Sequence, residues 1–509
     1  MMLFILALLG ILVASFAFEV NAHRAAVHAT QHQVQLRLAA ESGIQHALLI
    51  LRETRHDPSV WYDNEELFHN QVVWSILGDE ARRDVDEELD RTKMTFRYSL
   101  VADDPLDDQA SVRYGITDES SKLNLNLATA EQLATLFSAV LPEETEIDPL
   151  IDALLDWRDQ DGELREQGAE MEHYMALDPP YTIKNGSFET VEELLLVAGF
   201  TPEILYGEDF NRNGILDPNE QDGKLTLPLD NQDDVLHRGA YPYLTVWSRD
   251  LNRSNDNLPR LDLNGDIREL QEGLSEYVDE EIINYIIAAR NNGTTFSSPV
   301  QLLDGSYTVG GNTGKGKAPR GGENSDKGAN DDANTGKDGG GAGGGSGSSG
   351  PPVFSPVTAE DLPVLCDRTT AIRQPGQMGL ININTAPREV LRCLVNSSFS
   401  EEDVDAIIAA RANLEGEQLA TVAWPLTESV ISQQALASIY AQITARAQQF
   451  HIEAIGHADH LGMMVRLQAV VELRGHVPQF MYYRDLTALG TYPIRGTREG
   501  DEVVRSQRR

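Results

Sequence analysis

Six positions in GEDFNRNGILDPNEQDG, residues 207–223, have the types and spacing to bind a hard divalent cation. Asp209, Asn211, Asn213, the backbone carbonyl of Ile215, Asp217 and Glu220 stand at positions 1, 3, 5, 7, 9 and 12 of a loop, with Gly214 at position 6. Ca2+ takes about six to eight oxygen donors, and donors at these intervals wrap it once the glycine has allowed the sharp turn between them. The competing reading is an acidic surface turn. The flanks, GFTPEILYGE before and QDGKLTLPLDNQDD after, are not the paired amphipathic helices of a switch that opens on calcium. A lone loop outside the cytoplasm reads instead as a permanently loaded clamp, a structural Ca2+ that neutralises carboxylates and closes a long loop.

Other chemistry is thinner. LLDWRDQDGELREQGAE offers Asp156, Asp159, Asp161, Glu163 and Glu170, at a spacing that fits no fixed template and reads as a solvated acidic face. The histidines are scattered: His23, His28, His32 and His46 lie on a helical stretch, and His451, His457, His460 and His476 lie among strands. HADH invites a metal reading, but a strand-turn pair of this kind is usually structural. Neither Ser42 nor Ser187 has the strand-to-helix elbow of a nucleophile. With no nucleophile beside a base, the chain reads as non-enzymatic.

The formal net charge of −39 repels phosphate backbones and argues against nucleic acid as a partner. It suits calcium, basic partners or solubility outside the cytoplasm. Cys366 and Cys393 are the two cysteines, and pairing and free thiols are both open.

These sites need elements to hold them. Residues 1–18 are uncharged and almost wholly apolar, long enough for a transmembrane helix. A cleavable signal peptide competes, but no basic stretch precedes the apolar run. The chain then continues helically through AHRAAVHATQHQVQLRLAAESGIQHALLILRE, with an approximate stripe of Val27, Val34, Leu38, Ala39, Ile44, Leu48 and Leu51. One helix to about residue 55 would be roughly 80 Å long, a stalk whose first part sits in lipid and whose last part packs on a head. MTFRYSLVAD and ASVRYGITDE read as a β-hairpin, and FHIEAIGHAD, MVRLQAVVELRG and PQFMYYRDLTAL as further strands. A sheet built from both ends leaves residues 120–445 as an insertion.

That insertion repeats. SKLNLNLATAEQLATLF precedes DPLIDALLDWRDQDG, RLDLNGDIRELQEGL precedes EEIINYIIAARNNG, and GLININTAPREVLRCL precedes EEDVDAIIAARANLEG. Each is an Asn-rich opening, a capped helix, a loop and a second helix ending near Arg or Asp. Thr129 and Thr385 sit where N-caps belong, and Glu131, Glu269 and Glu389 lie in or near first turns. Two units carry a third element, FETVEELLLVAGF and FSSPVQLLDG. Stacked helical hairpins of this kind make an α-domain. The expected fold class is α/β in the α+β sense. Its parts are a transmembrane segment at 1–20, a stalk at 21–55, a sheet head at 56–119 and 446–490, and an inserted α-domain at 120–303 and 353–445. A disordered glycine-rich insertion at 304–352 and a tail at 491–509 complete it.

In their order along the chain, AAESGIQHAL, ITDESSKLNLNLAT, LLDWRDQDG, VEELLLVAGFTPEILYGED and ININTAPREVL resemble the K-class minor pseudopilin of type II secretion, general secretion pathway protein K. The resemblance implies a pilin stalk in the inner membrane and a periplasmic α/β head carrying a large α-domain. It also implies a place at the tip of a pseudopilus with I- and J-class pseudopilins, initiating assembly and contacting exported substrates. The family's α-domain holds calcium, which carries Ca2+ binding onto Asp209, Asn211, Asn213, Asp217 and Glu220, and makes the Asp159 and Asp161 region a second candidate. Pilins usually bear Glu at the fifth mature position and a short basic leader; this chain opens MMLF with Ile5 and Leu6 there, and the K class lacks that Glu. Two rivals stand beside this reading. One is a calcium-dependent adhesin on a type IV-like fibre. The other is a DNA-binding helix-hairpin-helix protein, disfavoured by the acidic, glycine-free link VNSSFSEED.

Overall fold

Helix α1 (Met2–Thr54) runs without a break from the apolar opening into the polar stalk, because no proline interrupts it before Pro58. The computed structural model describes residues 2–75, 95–103, 112–308, 352–414, 416–458, 461–474 and 477–490. The side chains of residues 3–8, 74 and 75 lie outside the description, as do most of the glycine-rich stretch, the 491–509 tail, His460 and His476. Among the described residues no helix is long and apolar enough to cross a membrane. The span expected at 1–20 includes side chains outside that description, so it rests on the sequence.

Both ends of the chain build one sheet. Its path is β1 (Gln71–Ser75), β2 (Thr95–Asp103), β5 (Gln449–Ala458), β6 (Met464–Arg474) and β7 (Val477–Asp485), with β3 (Val112–Arg113) on β2 and β4 (Thr117–Asp118) on β5. The long-range join is antiparallel, with Leu100 opposite Ala454 and Tyr98 opposite Gly456. Phe96, Tyr98 and Leu100, Ile452 and Ala454, and Leu467, Ala469, Val471 and Leu473 alternate onto one face and form a core with α1. At Gly456 the helix comes so close that a Cβ would sit 1.9 Å from the Leu36 carbonyl oxygen. Glycine is what permits that crossing.

Two expectations need correction. The buried stripe of α1 is Leu36, Ala39, Ala40, Ile44, Ala47, Leu48 and Leu51, whereas Val27, Val34 and Leu38 are exposed. Leu36, Ala40, Ile44 and Leu48 lie on one i, i+4 row, and Val27, Val34 and Leu38 belong to a different face. The expected hairpin is also broken. Among the described residues only Ala102–Arg113 and Asp103–Val112 pair across it, and the chain then leaves to meet Trp61 and Asn64, with Ile116 N–H on the Trp61 carbonyl and Asn64 N–H on that of Tyr114. Strand β4 pairs with β5 instead, and β1 was not foreseen.

The chain forms two units, residues 1–259 with 374–509, and residues 260–373. The division at 259/260 and 373/374 isolates the second helical copy. The first and third copies lie in the larger unit. Each copy opens on a two-residue strand that pairs in parallel with its own closing strand: Leu123–Asn124 with Leu244–Thr245, Leu261–Asp262 with Thr369–Thr370, and Ile381–Asn382 with Ile443–Thr444. The helices between are Ala130–Val140 and Ile147–Arg158, Ile267–Leu274 and Glu280–Asn291, and Arg388–Arg392 and Glu401–Arg411.

One set of polar contacts recurs in all three. The arginine ending each second helix donates to carbonyls of its opening segment: Arg158 to Leu125 and Ala128, Arg290 to Asn264 and Gly265, Arg411 to Ile383 and Ala386. An opening asparagine clasps the third element. Asn126 exchanges two hydrogen bonds with the Phe188 main chain and Asn264 two with Phe296. Asn384 donates to the carbonyls of Leu419 and Ala445 and accepts from Trp424 Nε1. The third copy therefore has a third element, LATVAW, that the sequence reading missed; FETVEE and FSSPVQ align with it once Leu419 is set against Phe188 and Phe296. Thr129 is an N-cap with a full capping box, but Thr385 is not, since Pro387 holds that place and Thr385 Oγ1 donates to Asp118. Cys366 and Cys393 are buried thiols not joined in a disulfide.

Candidate calcium site

The 209–220 loop belongs to an excursion that only the first copy makes. In the second copy, helix Leu362–Arg368 runs directly into the closing strand, and in the third Gln433–Ile439 reaches it through one 3-10 turn at Tyr440–Gln442. In the first, helix Pro202–Tyr206 ends and residues 207–243 intervene. The excursion is closed at its base: Glu208 N–H donates to the His237 carbonyl at 2.6 Å and Ala240 N–H to that of Ile204 at 3.1 Å. With its base closed, the excursion's two ends are held together, so its interior can be organised locally.

Within it, the side chains of Asp209, Asn211, Asn213, Asp217 and Glu220 share one hydrogen-bond network with the main chain of the turn. Both carboxylate oxygens of Asp209 accept main-chain N–H groups, from Asn213 and Gly214 at 2.9 Å each. Asn211 Oδ1 accepts Asn213 N–H and Asn213 Oδ1 accepts Ile215 N–H, at 2.9 and 2.8 Å. The amide NH2 groups of both asparagines donate to Asp217 Oδ2, at 2.7 and 2.8 Å. Glu220 Oε2 accepts Asp217 N–H, while its Oε1 is buried with no hydrogen-bond partner among the described residues. Gly214 has φ +66°, the left-handed turn its position requires.

The electrostatics are those of carboxylates crowded in a poorly solvated place. Burial raises the Glu220 carboxyl to about 8, helped by Asp209, Asp217 and Glu208, and raises Asp209 to about 6, helped by Asp103. A cation would relieve both and supply the missing partner of Glu220 Oε1, so the donor set fits an oxygen-seeking divalent ion. Three of its side chains are carboxylates and two are amides. Among the described residues no group of three or more His, Cys, Asp or Glu side chains converges as a metal cluster does; the loop's donors hydrogen-bond to their own backbone and to one another, and a cation would have to gather them.

The sheet holds this loop, through residues the sequence reading did not single out. Arg466 on β6, 1% exposed, donates to the carbonyls of Asn211, at 2.6 Å, and Arg212, and pairs with Glu453 on β5. The side chain of Ile215 packs on Val101 and Ile455 with Met464. No sequence motif marks Arg466; a buried arginine in the alternation of a strand was the available signal.

The second acidic group also partly assembles. Arg165 reaches Asp156 at 3.3 Å and Asp159 at 3.7 Å. Asp156 Oδ1, Asp159 Oδ1, Glu170 Oε1 and Asn185 Oδ1 are buried without hydrogen bonds among the described residues, and burial raises the carboxyls of Asp156, Asp159 and Glu170. Asp161 stands apart in role: its carboxylate accepts Glu163 N–H and its carbonyl accepts Asn185 Nδ2 at 2.7 Å. Asn185 was missed. His457, from HADH, faces Asn70 Oδ1 at 3.1 Å, a structural contact.

Two family models of type II secretion system protein K match the chain, one over residues 111–206 and one over 381–442. Over these two stretches the chain is similar to protein K of the type II secretion system. The matches fall on the first and third helical copies; the first stops where the acidic excursion begins, and neither covers residues 260–373. A chain of the solved GspK-GspI-GspJ complex from the enterotoxigenic Escherichia coli type 2 secretion system aligns over 90% of this chain and 98% of its own. Identity is 10% and the TM-score 0.38, too loose a likeness to carry an argument. No curated protein matches the chain by sequence.

Proposed function

We propose that this protein is the tip minor pseudopilin of a type II secretion pseudopilus, a non-enzymatic subunit that initiates assembly with I- and J-class pseudopilins and supports protein export. Residues 1–20 anchor it in the inner membrane and its sheet head lies in the periplasm, with the helical copies inserted between the two halves of that sheet. The observation that carries this reading is the pair of protein K matches on the first and third copies. The stalk and the two-ended sheet support it.

Calcium belongs to this reading as a structural ion. Asp209, Asn211, Asn213, the Ile215 carbonyl, Asp217 and Glu220 would hold it, and Asp156, Asp159 and Glu170 would hold a second. The ion supplies positive charge that offsets the carboxylates. The protein's own residues do the rest: Gly214 makes the turn, and Arg466 with Ile215 fixes the loop on the sheet. Nucleic acid fits poorly. In the third copy Arg388 and Arg392 are already paired with Glu401 and Asp405, which takes them from any phosphate.

The test is capture of the full chain, in detergent, on immobilised I- and J-class heads, once in calcium and once in chelator. Capture in calcium supports the tip assignment, and loss in chelator would make the loop an assembly clamp. No capture in either condition would overturn the assignment and favour the adhesin.

A further inference from the structure

We propose that Asp103, at the end of strand β2, is a further acidic contributor to the cation site of the 209–220 loop, so that loop and sheet build that site jointly. The inference rests on the calcium reading above and adds to it a residue more than a hundred positions away in sequence.

Three observations carry it. Asp103 Oδ1 lies against the turn at position 6: a Cβ on Gly214 would come within 2.8 Å of it. Its negative charge is felt by Asp209, the first position of the loop. And its place is fixed, since Ala102 and Asp103 pair with Arg113 and Val112, and Arg113 Nε donates to the Asp103 carbonyl at 3.0 Å. Arg113 does not answer the carboxylate. Its other nitrogens donate to the carbonyls of Tyr62 and Ile116 and to Thr117 Oγ1. Arg466 is engaged with Glu453 and the carbonyls of Asn211 and Arg212, and Arg238 Nη2 donates to the Gly214 carbonyl at 3.3 Å.

A strand that delivers a carboxylate to the outside of a buried acidic loop adds like-charge repulsion unless a cation sits within the loop. Glu220 Oε1 of the same loop, buried without a partner among the described residues, points to the same need. Asp103 acts through space, from beyond the innermost ring of donors, as a charge that deepens the site's potential. Through Val101, two residues earlier on the strand, it also shares the packing that seats Ile215. Cation affinity and the seating of the loop on the sheet are then linked, each strengthening the other.

The experiment is a calorimetric Ca2+ titration of the full chain in detergent, with Asp103→Asn, Asp103→Glu and Asp222→Asn. Asp222 lies in the same excursion, is half-buried and accepts from Thr226 Oγ1, and its substitution removes the same charge outside the 209–220 loop. D103N is expected to weaken Ca2+ by about five-fold, the effect of one charge at outer-ring distance. D103E is expected to return to within about two-fold of the unsubstituted chain and D222N to stay there. Unchanged affinity in D103N, or an equal loss in D222N, would overturn the role of Asp103 while leaving the calcium site intact. No binding by the unsubstituted chain would overturn both readings together. Far-ultraviolet dichroism of each variant separates lost affinity from lost fold.

Discussion

The junction between the last short helix and the closing strand is crossed in two ways within the larger unit. The third copy crosses it through a single turn, Tyr440–Gln442, and its interior is satisfied by neutral hydrogen bonds from Asn384 and by the Arg411 cap. The first copy crosses it with the excursion at 207–243, where carboxylates are crowded and one buried oxygen has no partner among the described residues. The same scaffold supports both because its contacts close without the junction. Thr245 and Thr444, at the two closing strands, each accept the N–H two residues on, from Trp247 at 2.9 Å and Arg446 at 3.1 Å. What differs is the source of order: apolar burial and paired amides in one, crowded carboxylates bonded to their own backbone in the other.

The largest expected break falls on the tie between loop and sheet. Arg466→Met leaves Glu453 buried and uncompensated and frees the carbonyls of Asn211 and Arg212, at about 3–5 kcal/mol. Chemical denaturation should show it in calcium and in chelator alike. Next is Asn384→Ala, which strips Trp424 Nε1 and two carbonyls of partners at about 2–4 kcal/mol. That loss should be indifferent to calcium; a calcium-dependent loss would break the contrast between the copies. Chelation should then cost about 3 kcal/mol if the ion is held at a hundred times its dissociation constant. Glu220→Gln should abolish the difference between calcium and chelator in melting temperature.

A separate effect is one of pH. Asp118, buried and accepting from Ser120 N–H, Asn382 Nδ2 and Thr385 Oγ1, has its carboxyl raised by burial to about 7. A raised carboxyl favours folding most below the ordinary carboxylate range, near 4, and loses that advantage as pH rises through about 7. The stability of the unsubstituted chain relative to Asp118→Asn should therefore decline between about pH 4 and pH 8. A flat difference would remove Asp118 as the titrating group.

Much of this was legible in sequence, and the reasons differ by region. The strands at 449–458, 464–474 and 477–485 follow from alternation, and the stalk from the absence of proline. The tight turn at Gly214 was legible because the residues that bond around it, Asp209 to Glu220, lie close together in the chain. What escaped is long-range. The stalk face was misplaced because two apolar rows run along one helix and only the sheet selects between them. The third copy's LATVAW element was hidden by a Leu where the other copies have Phe, and it is recognised by its bond to Asn384. Arg466 and Asp103 approach the loop only through the sheet, so no window of sequence could place them there.

The most direct test of the contrast is amide hydrogen exchange on the full chain, in calcium and in chelator, followed peptide by peptide. The account predicts that removing calcium accelerates exchange across residues 207–223 and in the strand ends around Asp103 and Arg466, while 381–444 stays unchanged. Equal protection of 207–223 in both conditions would contradict a cation-held loop, and loosening that spread evenly through 381–444 would contradict the separation between the two ways of ordering the same fold.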